Sequence, residues 1–143
     1  MGGSFLMKKK RIWIWLLLTL LWIGLIFWHS SRNAVQSDGE SLGLLCYIQK
    51  ILPWMTNNLL RKLAHFGEFA VLGLLLTGTF YNAKGFRLLK PIFFGLLTAL
   101  CDETIQLFVP GRSGNVRDLW IDLSGVAVGT LFLWLIFKLR KKR

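Results

Sequence analysis

Six side chains able to carry protons recur at helical spacing inside stretches of this chain that are otherwise apolar: His65, Glu68, Asp102, Glu103, Asp118 and Asp122. His65 and Glu68 stand i, i+3, with Lys62 one turn earlier. Asp102 and Gln106 are i, i+4, Glu103 and Gln106 are i, i+3, and Asp118 and Asp122 are i, i+4, so each pair shares a helix face. Two carboxylates in unlike surroundings can divide general-acid and general-base work. Glu103 reads as the base, Asp118 or His65 as its partner, and Arg112 as the group that would meet developing negative charge. No Ser or Cys sits in a nucleophile motif, and Cys101, a lone thiol in an apolar helix, reads as packing. The carboxylate–His set is of the kind that binds metals in helical bundles. A second His is missing and Arg112 would repel a cation, so the chain is read as holding no metal and no other cofactor.

The elements that carry these residues are four apolar runs. Of the 143 residues 54% are hydrophobic and seven are Trp, while 18 Lys and Arg against 7 Asp and Glu give a net charge of +11. Such hydrophobicity excludes a disordered chain. The basic residues interrupt apolar runs rather than lining one face, which argues against a nucleic-acid partner. Two isolated cysteines make neither a zinc spacing nor a disulfide framework. The runs 12–28, 63–81, 91–109 and 119–137 would each reach roughly 25–28 Å as helices, about the depth of a bilayer's hydrocarbon core. The first lacks a small-x-small cleavage site and carries Trp13, Trp15 and Trp22, so it reads as a retained helix rather than a signal peptide. Residues 1–11 form a basic N-terminus, in which Met1–Leu6 reads as an added stretch ahead of a natural start at Met7.

Basic residues orient the spans. Lys8, Lys9, Lys10 and Arg11, then Lys84, Arg87 and Lys90, then Lys138 and the rest of the tail 138–143 fall on one side, twelve in all, against six on the other. The positive-inside rule then puts both termini in the cytoplasm. The segment 29–62 lies outside, and Ser37-x-x-Glu40 followed by Leu42, Leu44, Leu45, Ile48, Ile51 and Leu52 predicts an interfacial helix ending at Pro53. The expected fold is all-α: a four-transmembrane-helix bundle in one domain, about 12–137, with an outer interfacial helix. Trp13, Trp28, Trp54, Trp120 and Trp134 read as interface anchors, and His29 as a plain interfacial residue. Gly67, Gly73 and Gly78, and the pair Gly125-x-x-x-Gly129, read as sites of close helix packing, within the chain or across a homodimer.

Counted from the cytoplasmic edge, Glu68, Asp102, Glu103 and Asp122 lie roughly 16–22 Å deep, all in the outer half of the membrane. Polar side chains can serve only to join helices, at about 1 kcal/mol per bond. Four carboxylates, a His and an Arg at one level are a poor way to pack, since apolar residues would fill the space without the danger of an unpaired charge. The faces should therefore turn toward one another, with Pro110 and Gly111 making a turn that aims Arg112 over them.

The pattern Arg61-Lys62-x-x-His65-Phe66-x-Glu68, then Asp102-Glu103-x-x-Gln106-x-Phe108-x-Pro110-Gly111-Arg112, then Asp118-x-x-x-Asp122-x-x-Gly125 resembles the VanZ family of small bacterial membrane proteins. The resemblance covers roughly residues 61–130. It departs after the first span, where the family often has Ser-Ser-Gln and this chain has Ser30-Ser31-Arg32; Asp122 stands where the family carries Asn or Asp. The resemblance implies a multi-pass protein of the bacterial plasma membrane linked to resistance to glycopeptides, teicoplanin above all. From the residues, the site formed by Lys62, His65, Glu68, Asp102, Glu103, Gln106, Arg112, Asp118 and Asp122 suits an amphiphile, a membrane lipid, lipid-linked cell-wall precursor or lipoglycopeptide, with Lys62, Arg112 and Arg117 able to meet a phosphate. The alternative is a hydrolase or transferase acting on a cell-wall lipid intermediate through Glu103, Asp118 and His65.

Overall fold

The structure is a computed structural model that describes residues 3–81, 88–112 and 114–141, with backbone alone for 3–11, 34, 36–38, 40 and 141. The side chains of Lys8 to Arg11, the Ser37–Glu40 pair, and Lys84, Arg87, Lys142 and Arg143 lie outside that description. Five helices follow one another: α1 Gly3–Ser30, α2 Ala34–Ile48, α3 Asn57–Phe80, α4 Leu89–Leu107 and α5 Val116–Lys141. No strand occurs among the described residues.

Among the described residues three helices are long and apolar enough to cross a membrane: α1 over Ile12–Ser30, α3, and α5 over Val116–Arg140. The stretch of α4 is of similar length, yet any 18 consecutive residues of it include Lys90, Asp102 and Glu103. Leu17, Leu21, Phe93, Leu97, Leu131, Phe132 and Leu135 are exposed on the outside of the molecule. A surface this apolar is stable against lipid rather than water.

α3 is the central element and packs most extensively on α5. Gly125 sits against the carbonyl of Phe66, Gly129 against the carbonyl of Ala70, and Gly73 against the carbonyl of Val126; a Cβ at any of the three would overlap backbone. The small-xxx-small pair therefore joins two helices of one chain. Gly95 of α4 lies under the Val126 side chain and Gly78 of α3 under the Trp15 ring. Gly67 departs from the expectation: a Cβ there would meet open space. Phe69, Leu72, Leu76, Ile26, Ala99 and Val126 form the core, with Trp22, Ile23 and Leu119 packed against it. The buried threonines are satisfied along their own or adjoining helices, Thr77 Oγ1 donating to the Gly73 carbonyl (2.8 Å) and Thr98 Oγ1 to that of Phe94 (2.9 Å).

Two helix starts differ from the sequence reading. α2 begins at Ala34, so Ser37 lies within its first turn rather than ahead of it; regular helix ends at Ile48 and a hydrogen-bonded turn carries the chain to Leu52. α3 begins at Asn57, six residues before the apolar run, because Thr56 caps it by accepting from the Leu59 amide (3.3 Å). Arg61 and Lys62 are thereby helical. Leu45, Met55 and Leu60 make a second small core that roots α2 on the start of α3.

Candidate functional site

One end of the bundle collects the polar residues. It is built where α1 and α4 end and α3 and α5 begin, joined by the loop from Phe108 to Asn115. Gly111 has φ 77° and the Arg112 amide donates to the Val109 carbonyl (3.1 Å), so Pro110 and Gly111 occupy the middle of a type II turn. That turn directs Arg112 across the bundle, where its Nη1 donates to the His29 carbonyl at the end of α1 (3.3 Å). Asn115 caps α5, its side-chain oxygen accepting from the Arg117 amide (3.0 Å). The Asn115 amide in turn donates to Glu103 Oε2 (2.6 Å), which ties the loop back to α4. A Cβ on Gly114 would crowd the Glu103 carbonyl and the Leu107 side chain, so the loop needs glycine to lie this close.

At the centre are His65 from α3, Asp102 from α4 and Asp122 from α5. Both aspartates are wholly buried, at 0% exposure, and His65 is half-buried. One ligating atom from each of the three lies within 4.8 Å of the others. His65 Nδ1 is 3.4 Å from Asp122 Oδ1, within ion-pair reach but poorly aligned for a hydrogen bond. Asp102 is gripped from two sides: Ser30 Oγ of α1 donates to Oδ1, and Gln106 Nε2 donates to Oδ2 (2.8 Å). Asp122 is different. Neither of its oxygens has a hydrogen-bond donor among the described residues, and the same holds for Glu103 Oε1 and Asp118 Oδ1. Such groups are costly to bury, since most buried polar atoms in a folded chain are paired.

Two cavities open beside the centre. The larger, about 280 Å³, is lined by His29, Arg32, Arg61, His65, Glu68 and Arg112, with Leu44, Leu60 and Ala64 supplying apolar wall. The smaller, about 180 Å³, is lined by Lys62, Gln106, Asp118 and Ile121. Arg61, His65 and Arg112 line both. Glu68 faces the larger cavity and is held by His29, whose Nδ1 is 2.7 Å from Oε1.

The structure thus gathers His65, Glu68, Asp102, Glu103, Gln106, Arg112, Asp118, Asp122 and Lys62 at one end, and Gln106–Asp102 forms the expected i, i+4 bond. It rearranges the partnerships. Glu68 pairs across to α1 rather than with His65, and Glu103 spends one oxygen on the Asn115 amide. Arg117 is exposed and lines neither cavity. Cys101 is exposed on the outside of α4, not packed, although the next residue is buried. His29 corrects the sequence reading: it bonds Glu68 and lines the larger cavity. Ser30, Arg32 and Arg61 also belong here beyond the expected set. The run His29-Ser30-Ser31-Arg32 at the end of an apolar helix was the available signal, four polar side chains closing a span in which only Thr19 is otherwise polar and non-aromatic.

Helices alone among the described residues, three of them long and apolar enough to cross a bilayer, with buried carboxylates from α4 and α5 beside the half-buried His65 of α3, define a class of helical membrane protein. Within that class the chain belongs to the VanZ/LLP1 family, whose profile matches residues 15–138, nearly the whole chain. No curated protein and no solved structure matches it.

Proposed function

We propose that the chain crosses the bacterial plasma membrane four times, with α4 as the additional span and both termini in the cytoplasm, and that its polar end opens in the outer leaflet to bind an amphiphile with an anionic headgroup. The orientation rests on the twelve-to-six division of basic residues. α4 spans although it carries three charges, because Asp102 and Glu103 turn inward and Lys90 lies at its first turn. Family membership supports a link to teicoplanin-type resistance.

The single observation that carries the ligand reading is the larger cavity, whose described lining brings Arg32, Arg61 and Arg112 together with His29, His65 and Glu68 around about 280 Å³. Guanidinium groups meet phosphate or carboxylate oxygens with paired bonds. The volume lies just below the range for ligand pockets, roughly 300–1,000 Å³, so it suits a headgroup and not a whole glycopeptide. A lipid-linked cell-wall precursor, or the acylated part of a lipoglycopeptide entering from the bilayer, is the class that fits.

A sensitive host expressing wild type should tolerate more teicoplanin than one expressing Arg61→Ala/Arg112→Ala at equal membrane abundance. Equal protection by both proteins would remove the cavity from the function. The second reading, a membrane-embedded hydrolase or transferase, draws on Glu103 Oε1 and Asp118 Oδ1, two buried carboxylate oxygens without donors among the described residues, Asp118 lining the smaller cavity with His65. Release of product from an undecaprenyl-linked substrate by purified protein, abolished in Glu103→Gln, decides for it.

A further inference from the structure

We propose that His65, Asp102 and Asp122 bind a divalent cation of the first transition row. This goes beyond the ligand reading and stands whether or not the neighbouring cavity takes a lipid. Three observations carry it. The first is geometry: one nitrogen and two carboxylate oxygens, each from a different helix, already lie within 4.8 Å of one another. A cation with bonds of about 2.0–2.2 Å holds its ligand atoms roughly 3–4 Å apart, so side-chain adjustments of about an ångström complete the set.

The second is Asp122. It is wholly buried, both oxygens lack a donor among the described residues, and one of them faces the His65 ring nitrogen. A carboxylate in that position is left with half a partner unless a positive charge joins it. The third is the support around Asp102, where Ser30 and Gln106 fix the carboxylate from two directions. Hydrogen-bond donors that fix a ligating carboxylate in this way are the usual outer shell of a metal site. Arg112, the group that would oppose a cation, commits its Nη1 to the His29 carbonyl. An imidazole with two carboxylates suits Zn²⁺ or Mn²⁺ better than a thiophilic ion. Three protein ligands leave coordination positions open, and His65 lines both cavities, so a bound ion would lie beside their walls.

The competing account is a proton shared between Asp102 and Asp122. Protein purified in detergent through a tag without histidine, stripped with chelator and dialysed, is titrated separately with Zn²⁺, Mn²⁺ and Mg²⁺, and bound metal is counted by elemental analysis. The proposal expects about one Zn²⁺ or Mn²⁺ per chain, with affinity falling about tenfold or more in Asp122→Asn and His65→Ala and about tenfold in Ser30→Ala. Co²⁺ added to wild type should give visible absorption bands of a nitrogen–oxygen site, a readout that requires no variant to fold. Absence of stoichiometric metal and of Co²⁺ bands in wild type overturns the proposal, as does wild-type affinity in folded Asp122→Asn and His65→Ala. A shared proton instead predicts no bound metal and an Asp122→Asn protein at least as stable as wild type.

Discussion

The seam between α3 and α5 and the polar end of the same helices are built on opposite principles. Along the seam, Gly73, Gly125 and Gly129 remove side chains so that backbone meets backbone. At the polar end, His65 of α3 and Asp122 of α5 meet Asp102 of α4, and His65 Nδ1 and both Asp122 oxygens have no hydrogen-bond partner among the described residues. The seam fixes distance and register at little chemical cost. The polar end spends that rigidity on holding groups that would otherwise drift apart or draw in water.

The sharpest way to break the comparison is at Gly129. A Cβ there overlaps the Ala70 carbonyl, and backbone cannot swing aside as a side chain can. Gly129→Leu should destabilise the bundle by roughly 3 kcal/mol or more, seen as loss of membrane-inserted protein and of thermal unfolding temperature in detergent. Glu103 tests the polar end. Glu103→Ala strands the Asn115 amide and should cost about 1–3 kcal/mol, whereas Glu103→Gln keeps an acceptor for it and should cost about 1 kcal/mol or less. Equal losses in the two would mean that the loop does not depend on that bond. The smallest effect belongs to Gly67, whose absent side chain leaves open space on the same helix as Gly73. Gly67→Ala should leave stability unchanged or raise it by roughly 0.5–1 kcal/mol. A marked loss there would show that glycine on α3 serves something besides contact with α5.

Much of this arrangement was legible from spacing. Asp102 and Gln106 meet because i, i+4 residues share a face, and the Pro110–Gly111 turn follows from one residue with fixed φ and one that tolerates positive φ. The inward turn of Asp102, Glu103 and Asp122 follows from the penalty on charge in an apolar surface. What spacing cannot show is registry between helices. His29 pairs with Glu68 and Ser30 with Asp102 only because α1 stops at the level where α4 presents its carboxylate, a match set by Trp15 seated on Gly78 and Trp22 bonded to the Glu68 carbonyl. The start of α3 was displaced in the sequence reading for a local reason: Arg61 and Lys62 mark the end of apolarity, while the helix itself is set by the Thr56 cap. Glu103's bond to Asn115 spans a loop and has no periodic signature.

The Ser30–Asp102 bond joins residues 72 positions apart. Translation therefore delivers the first helix with a polar tip that has no counterpart until α4 has been made, and His29 likewise waits for Glu68, 39 positions on. Non-local pairings of this sort close late. The first-made helix is thus seated on α3 through Trp15 and Trp22 before its polar tip is closed, and Asp102 of α4 supplies the last lock.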